Sequence, residues 1–384
     1  MEHPRVVDLI RRVVIGAKSP EPMFDGEPGE IPVSHYLDAN RLAREREVLF
    51  AQRPIAVAHV SELATPGACI VSDELGTSLL VVRGTDGVLR AFRNACRHRG
   101  TRLVRESPCR AKAFVCPYHG WTYGLDGALM HVPHAAAFPQ LDIAAHGLSA
   151  IDVEERHGIV WVRLDPRAPD VASHLGALDD ELRSMQFETH IAHRSVVREQ
   201  DGNWKLLLEA FLEGYHIRTL HRGTIYPFFV DARAIAESVG PHVRHASARR
   251  TSLELSADDA NAMSFAARPL RDLATFAYVI FPNTIIIAHP DWTSLVRVVP
   301  RSVDRFAWSH TMLLPQAPAD DTARAHFDRS FGLIEENVFQ REDLFAIREM
   351  QIGLASGALT HTLFGRLESA ALHFHRAIRD AFGE

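Results

Sequence analysis

The sequence predicts an α+β fold, in which a small antiparallel β domain precedes a larger region where helices cover a curved antiparallel sheet. Short strand-like runs separated by turn residues fill the first half of the chain, and longer runs fill the second half. Three other segments have the character of helices. The strand-like runs are the one around Val71, then Leu79–Arg83, Leu89–Phe92, Gly158–Leu164, Phe276–Phe281, Thr284–His289, Leu295–Val299 and Phe306–Leu314, and the helical segments span about residues 40–52, 203–221 and 322–353.

The chain is long enough for more than one domain. Its 384 residues, of which 46% are hydrophobic, can support two or three substantial cores. The stretch Pro20–Pro32 is rich in Pro and Gly and has the composition of a linker, and Pro166–Pro169 marks a second boundary. We therefore expect an N-terminal segment at residues 1–45, a β domain at 46–165 and a larger domain at 166–384.

Two Cys-His pairs form the most informative motif of the sequence. Cys96, His98, Cys116 and His119 have the spacing C-x-H-x17-C-x2-H. A 2Fe-2S cluster normally takes four thiolates, and in a Rieske cluster two imidazoles replace two of the thiolates on one iron. Because each pair supplies one sulfur and one nitrogen, the spacing predicts a Rieske [2Fe-2S] cluster between two loops.

Two other interpretations exist for these four residues. A structural zinc site also takes two Cys and two His, but zinc fingers favour C-x2-4-C with H-x3-5-H over mixed pairs. A chain with 22 His can also place such residues together by chance. The mixed spacing favours the cluster. The loops resemble those of Rieske proteins of the oxygenase branch, because Thr101 or its neighbours, and Tyr118, stand where respiratory Rieske proteins carry additional disulfide-forming cysteines.

A second set of polar residues lies in the helix-like segment 203–221. Glu209, Glu213, His216 and His221 stand there among leucines and phenylalanine. On an ideal helix the first three share one face, whereas His221 lies about 140° around from His216. Both imidazoles reach one ion only if the helix bulges or ends between them. Two His and one carboxylate form the facial triad of non-haem Fe(II) oxygenases, and a pair of hydrogen-bonded core histidines is the alternative.

The carboxylate of such a triad has to come from another part of the chain. The segment Gln340–Leu344, inside the helical region 322–353, offers the adjacent residues Glu342 and Asp343. Both carboxylates remain candidates on the residues alone, and a solvated helix face is the alternative for either of them.

Together the two motifs resemble the alpha subunit, or terminal oxygenase component, of Rieske non-haem iron aromatic ring-hydroxylating oxygenases. The resemblance extends from about residue 40 to about residue 357. It implies that Asp343 binds a mononuclear Fe(II) together with His216 and His221, because the segment around Asp343 is similar to the pattern in which the family's aspartate binds iron.

The resemblance also implies a role for Glu213. In the family, a carboxylate at this place bridges the first iron-binding histidine to a Rieske histidine of a neighbouring subunit, here His216 and His119, in a homotrimer. A carboxylate bonded to both imidazoles offers a short route for an electron. An ordinary buried ion pair is the alternative. Many ring dihydroxylases have Asp here, and the Glu of this chain is similar to choline, glycine betaine and carnitine monooxygenases.

Composition excludes several classes of protein. The net charge of -6 argues against general binding of nucleic acid. The N-terminus lacks the features of a signal peptide, and no apolar run of 18 residues exists to span a membrane. Besides the motif cysteines only Cys69 and Cys109 remain, which is no disulfide framework. We therefore expect a cytoplasmic protein with reduced thiols.

Electrons have to reach this chain from another protein. No G-x-G-x-x-G motif follows a strand, so we expect NAD(P)H to act only through a separate reductase, with or without a ferredoxin. Four arginines near the cluster are candidate contacts for that partner, and pairing with local carboxylates is the alternative. They are Arg97, Arg99, Arg102 and Arg105.

The expected activity is O2 activation at the mononuclear iron, followed by mono- or dihydroxylation, or oxidative demethylation, of a small organic substrate. An aromatic or alicyclic substrate is the first expectation and a quaternary ammonium compound is the alternative. An electron carrier and a carrier of apolar ligands are alternatives from other classes. By analogy with the family, we expect the pocket to involve Phe228, Phe229, Val230, Ile285, Ile287 and Trp292, with Arg244, His245, Arg249 and Arg250 as candidate carboxylate ligands.

Overall fold

The computed structural model describes residues 3–24, 26–73, 75–255 and 270–384. The chain divides into two compact units, one at Phe50–His174 and the other made of Met1–Leu49 together with Leu175–Glu384. The domain boundaries expected from the sequence, at residues 45/46 and 165/166, stay predictions.

The unit at Phe50–His174 is built from two antiparallel sheets. The connection between the paired strands Leu79–Arg83 and Leu89–Arg93 contains the dipeptide Asp86-Gly87. Gly87 takes a φ of +78° there, which glycine adopts without strain. A three-stranded sheet contains Phe114–Val115, Thr122–Tyr123 and Leu129–His131 in that order. The seven-stranded sheet runs from edge to edge through Ile55–His59, Ile159–Arg163, Ala150–Arg156, Leu89–Arg93, Leu79–Arg83, Ala68–Ser72 and Cys109–Arg110.

The two cysteines outside the motif form a disulfide in this unit. Cys69 pairs with Cys109 across neighbouring strands, and 40 residues of sequence separate them. One disulfide is not a framework, but it differs from the reduced thiols expected from the sequence. The pairing depends on strand neighbours that are distant in the sequence, so composition could not reveal it.

The larger unit contains a curved antiparallel sheet of seven strands with helices packed on it, which confirms the predicted α+β fold. Strand order along the sheet is Ile191–Asp201, Arg305–Leu314, Thr293–Ser302, Thr284–Ala288, Ala274–Ile280, His242–Arg249 and Phe229–Val239. A two-stranded sheet pairs Gly29–Pro32, the end of the expected linker, with His361–Phe364. None of the described helices is long and apolar enough to cross a membrane.

The helical segments vary in length and in hydrogen-bond pattern. The α-helices are Pro4–Ala17, Ser34–Leu37, Ala39–Glu45, Val171–Leu175, Leu178–Ser184, Trp204–Ala210, Ile217–Leu220, Leu270–Leu273, Asp321–Gly332, Leu344–Ala355 and Ser369–Phe382. Arg46–Ala51 and Leu333–Asp343 are π-helical, and short 3-10 segments lie at Val60–Leu63, Ala135–Ala137, Ala144–His146, Phe187–Thr189, Tyr226–Phe228, Arg250–Glu254 and Arg366–Glu368.

The prediction of one continuous helix over residues 203–221 is wrong. The first helix ends at Ala210, and a single turn, Ile217–Leu220, follows. Between them the Glu213 carboxylate accepts hydrogen bonds from the backbone N–H groups of Tyr215 and His216. The side chain thereby takes donors that a continuing helix would use. Glu213 and His216 consequently lie in a turn, and the helical face expected to include Glu209 does not form.

Candidate active site

Two similar loops bring the motif residues of the smaller unit together. The backbone N–H of Gly100 donates to the Cys96 carbonyl at 2.9 Å, and that of Gly120 donates to the Cys116 carbonyl at 3.0 Å. Both glycines have a positive φ, which lets each loop turn back tightly. The hydroxyl of Tyr123 lies 3.3 Å from Cys96 Sγ. Each loop thus presents one cysteine and one histidine.

The cysteines and the histidines of these loops differ in exposure. Cys96 and Cys116 are each 3% exposed, whereas His119 is exposed and His98 half-buried. The two imidazole centroids lie 4.8 Å apart, and His98 stacks on Trp121. Two buried sulfurs and two more accessible imidazoles match the asymmetry of a Rieske cluster.

The arrangement differs from that expected of a zinc site. Among the described residues, the one set of three or more His, Cys, Asp or Glu with ligand atoms within 4.8 Å of one another lies in the larger unit. The four motif residues are not such a set, whereas a tetrahedral zinc site brings four ligand atoms to one point.

That converging set is His216, His221 and Asp343. The Nε2 atoms of the two imidazoles lie 3.2 Å apart, and Asp343 Oδ1 lies 3.1 Å from His221 Nε2 and 3.8 Å from His216 Nε2. Asp343 Oδ1 is buried and accepts no hydrogen bond of acceptable geometry. Because a buried carboxylate oxygen needs a partner, a cation between these three atoms fits the site.

Two further carboxylates orient the imidazoles from outside. His216 Nδ1 contacts Glu213 Oε1, and His221 Nδ1 lies 2.7 Å from Glu342 Oε2, which also accepts a hydrogen bond from Thr224. A carboxylate can only accept, so each Nδ1 carries the proton and each Nε2 directs its lone pair to the common point. Glu342, an alternative iron ligand in the sequence, lies on the outer side of His221.

The charges around these imidazoles make a proton and a metal ion compete for the same ring nitrogens. Burial lowers the pKa of His216, but the hydrogen bond to Glu213 and the charge of Asp343 raise it by more, so the net shift of the pKa is upward. For His221, burial likewise lowers the pKa, and Asp343 and Glu342 give a net rise. A cation at the common point would displace those protons, because metal ligation requires neutral imidazole.

A cavity of about 110 Å³ adjoins the three residues. Its other polar lining residues are Glu213, His245, Ser247, Thr275 and His289. Burial lowers the pKa of His245 to about 4, so this imidazole is neutral near pH 7. The larger apolar side chains of the lining are Phe211, Ile217, Ile225, Phe229, Ile287, Ile334, Val338 and Phe339.

The sequence identified part of this lining. Phe229, Ile287 and His245 line the cavity as expected, and the other residues named for the pocket are absent from its lining among the described residues. Arg244 instead pairs with Glu181 and Glu237. The remaining candidates that do not line the cavity are Phe228, Val230, Ile285, Trp292, Arg249 and Arg250. Sequence reasoning missed His289, whose position after an apolar strand gives no signal by itself.

Comparison with known proteins agrees with this geometry. Residues 187–384 match the family model of the ring hydroxylating alpha subunit (catalytic domain), and residues 53–144 match that of the Rieske [2Fe-2S] domain. The chain belongs to the ring-hydroxylating alpha-subunit family.

Individual relatives span nearly the whole chain. The carnitine monooxygenase oxygenase subunit of Escherichia coli (strain K12) is 29% identical over 93% of this chain and 94% of its own. A solved quaternary ammonium Rieske monooxygenase, described for carnitine oxidation and inter-subunit electron transfer, has a TM-score of 0.79 at 23% identity, covering 92% of this chain and 95% of that one. Naphthalene 1,2-dioxygenase from Rhodococcus sp., bound to indole, has a TM-score of 0.78 at 18% identity and covers 100% of both chains.

Membership of the ring-hydroxylating family confirms the expected enzyme class and cofactors. The protein is a Rieske non-haem iron oxygenase alpha subunit, with a Rieske [2Fe-2S] cluster and a mononuclear iron, and it works with a separate reductase. When bound, the cluster supplies electrons and the iron supplies O2 activation. The protein's own side chains orient the ligands, bury the site and line the adjoining cavity.

Proposed function

We propose that this oxygenase hydroxylates a neutral aromatic or alicyclic small molecule in the cavity beside His216, His221 and Asp343. The observation that carries the proposal is the charge of the lining. Among the described lining residues, the acidic groups are Glu213 and Asp343 of the site itself, and no Lys or Arg is present. An apolar cavity with neutral imidazoles favours an uncharged substrate, because an unpaired charge there would lose its hydration.

Cys96, His98, Cys116 and His119 are proposed as the ligands of the Rieske cluster. The exposed His119 supports an electron route that leaves the smaller unit through this imidazole. For the iron, the proposed ligands are His216, His221 and Asp343, and the unpartnered Asp343 oxygen supports this choice over Glu342.

Glu213 is proposed to receive the electron from His119 of a neighbouring subunit in a homotrimer. Its contact with His216 Nδ1 and its place in the lining of a surface cleft of about 750 Å³ support this role. The rim of that cleft carries exposed apolar residues, including Tyr215 (64%) and Leu363 (79%), which fits burial against another copy. Sedimentation of the purified protein tests the trimer, and a monomer at all concentrations would contradict it.

The reductase, with or without a ferredoxin, is proposed to dock near the cluster loops in the cytoplasm, where NAD(P)H is available. Arg97, Arg99 and Arg105 are exposed there. Arg102 is less available because it pairs with Asp73. Charge reversal at Arg97 and Arg99 should slow reduction of the cluster by the reductase more at low salt than at high salt.

A quaternary ammonium substrate is the second candidate. Similarity to carnitine monooxygenase over 93% of the chain favours it, as does Glu213 in place of Asp. Phe211, Phe229 and Phe339 line the cavity and can offer ring faces to a cation. Carnitine and glycine betaine also carry a carboxylate, for which the described lining provides no cationic side chain.

Single turnover distinguishes the two candidates without the natural reductase. The protein is loaded with iron, reduced with dithionite, freed of reductant and mixed with O2 and one compound from a panel of neutral aromatics, alicyclic compounds and quaternary amines. We expect a hydroxylated product from a neutral compound. A product from quaternary amines alone would establish the second candidate, and no product from any compound, with both iron sites occupied, would contradict both.

A further inference from the structure

His289 lines the cavity from the start of the loop after a strand. The residue follows the strand Thr284–Ala288 and lines the cavity. Its ring stacks on Trp292 with a centroid distance of 3.8 Å and an interplanar angle of 18°. Its backbone N–H also donates to the Trp292 carbonyl at 3.0 Å. These contacts fix the plane of the imidazole in the cavity wall.

A chain of side-chain hydrogen bonds connects this imidazole to a buried carboxylate. His289 Nε2 lies 3.3 Å from Ser294 Oγ, which lies 2.9 Å from His310 Nε2. His310 Nδ1 lies 3.1 Å from Glu335 Oε2, and Arg198 Nε donates to Glu335 Oε1 at 2.9 Å. Ser294 and His310 are fully buried, and Glu335 is 1% exposed.

The carboxylate fixes the direction of every hydrogen bond in this chain. Burial raises the pKa of Glu335, but His310 and Arg198 lower it more, so the group is ionised and only accepts. His310 Nδ1 must therefore donate. Burial lowers the pKa of His310, so this imidazole is neutral and its Nε2 has a lone pair. Ser294 donates its single hydroxyl proton to that lone pair and can then only accept from His289.

The consequence at the cavity is a fixed tautomer of His289. Its Nε2 carries the proton given to Ser294. Burial, together with the nearby charges of Arg249 and Arg271, lowers the pKa of His289 well below its usual range, so the ring holds no second proton. Nδ1 is then a hydrogen-bond acceptor, and it has no hydrogen-bond partner among the described residues.

We propose that His289 Nδ1 accepts a hydrogen bond from an O–H or N–H group of the substrate, and that Ser294, His310 and Glu335 hold the imidazole in this accepting form. The inference rests on the proposed function, because it takes the cavity as the substrate site. It narrows the substrate to aromatic or alicyclic molecules that carry a hydroxyl or an N–H. A molecule without such a donor would leave a buried acceptor unpaired.

Binding of matched ligand pairs to the full-length, iron-loaded protein under nitrogen tests this hydrogen bond. Calorimetry compares indole with indene and phenol with benzene, because each pair differs mainly in one donor group. We expect the donor-bearing member to bind the wild type about tenfold more tightly. His289→Phe should abolish this preference, and Ser294→Ala should weaken it.

Ser309→Ala is the matched control, because Ser309 is a buried serine whose hydroxyl has no hydrogen-bond partner among the described residues. It should leave the preference unchanged. Nitrogen-15 spectra of histidine-labelled protein provide a readout that a purely structural role would not change. They should show His289 with the proton on Nε2 in the wild type and a mixture of tautomers in Ser294→Ala.

Each outcome separates this inference from the proposed function. Equal affinity of the wild type for both members of each pair would overturn the hydrogen bond and leave the neutral substrate class in place. Binding of neither pair to the wild type would overturn both. Should His289→Phe fail to fold, the Ser294→Ala variant decides. An unchanged ligand preference with an unchanged His289 tautomer in that variant would contradict the role of the hydrogen-bond chain.

Discussion

At the scale of single residues, the proposed iron site is a set of carboxylate-imidazole contacts. His216 and His221 each have a carboxylate at Nδ1, and Asp343 faces both Nε2 atoms. Adjacent residues in the sequence, Glu342 and Asp343, therefore lie on opposite sides of one imidazole. The difference between a ligand and an orienting group depends on which ring nitrogen each carboxylate meets.

Substitution of these adjacent carboxylates should have different effects on iron binding. Asp343→Asn should reduce bound iron from about three to about two per chain, because the remaining cluster holds two irons. Glu342→Gln keeps an oxygen that can accept from His221, so we expect iron to be retained with about 10- to 100-fold lower affinity. Metal analysis and the electron paramagnetic resonance signal of the reduced cluster measure both effects. Equal iron loss in the two variants would contradict the assignment.

His245 should make the catalytic unit sensitive to acid. Burial lowers the pKa of His245 to about 4 in the folded protein, whereas an unfolded chain has a value near 6.5. The unfolded state therefore binds the proton more strongly, and stability falls as the pH decreases from about 6.5 through about 4. Because of His245, the free energy of unfolding at pH 5 should be about 2 kcal/mol lower than at neutral pH.

Urea unfolding of wild type and His245→Asn at pH 7 and pH 5 measures this contribution. The wild type should lose more stability than the variant between the two pH values. A loss of the same size in both proteins would show that His245 does not carry the effect.

At the scale of secondary structure, departures from regular helix position the side chains of the site. The π-helical segment Leu333–Asp343 contains Glu335 and ends at Asp343. One irregular segment therefore supplies both the carboxylate that ends the hydrogen-bond chain from His289 and the proposed iron ligand. π-helical turns occur often at functional sites. The break between Ala210 and Ile217 lets Glu213 and His216 turn toward each other.

Asn203 should be critical for the helix that precedes this break. The residue is 1% exposed, its side chain caps the helix by accepting from Lys205 N–H, and its amide donates to the carbonyls of Tyr36 and Val303. Asn203→Ala should lower the free energy of unfolding by about 3 kcal/mol, because it removes a cap and leaves buried carbonyls without donors. Chemical denaturation measures the change.

The exposed Asn40 provides the control for this substitution. Asn40→Ala should change the free energy of unfolding by less than about 0.5 kcal/mol. If the two variants were equally stable, the buried hydrogen bonds of Asn203 would not have the importance assigned to them.

At the scale of the whole molecule, the two cofactor sites belong to separate compact units. All four proposed cluster ligands and both sheets of the smaller unit lie within Phe50–His174. The residues that converge for the iron lie in the other unit. Each unit contains the side chains proposed to bind its own cofactor.

The fragment 50–174 should consequently assemble a Rieske cluster on its own. We expect about two irons per fragment and the same reduced-state paramagnetic resonance signal as the full-length protein. The fragment with His98→Ala is the control and should lose that signal. A wild-type fragment that folds but binds no cluster would show that residues outside the unit are required.

The sequence by itself determined the Rieske motif, the two histidines proposed to bind iron and the α+β class. These features depend on spacing within a loop or on the period of an apolar run, both of which are local. Strands such as Ile191–Asp201 and His242–Arg249 were missed, because exposed residues in the first and buried His and Arg in the second disturb the expected alternation.

Only the tertiary structure decided how distant side chains pair. The contact between His221 and Glu342 spans 121 residues, and the disulfide of Cys69 spans 40. The hydrogen-bond chain from His289 to Glu335 likewise crosses neighbouring strands and a helical segment. Packing of elements that are remote in sequence creates these contacts, so neither periodicity nor motif spacing could reveal the carboxylates beside His216 and His221 or the hydrogen-bonded imidazole of His289.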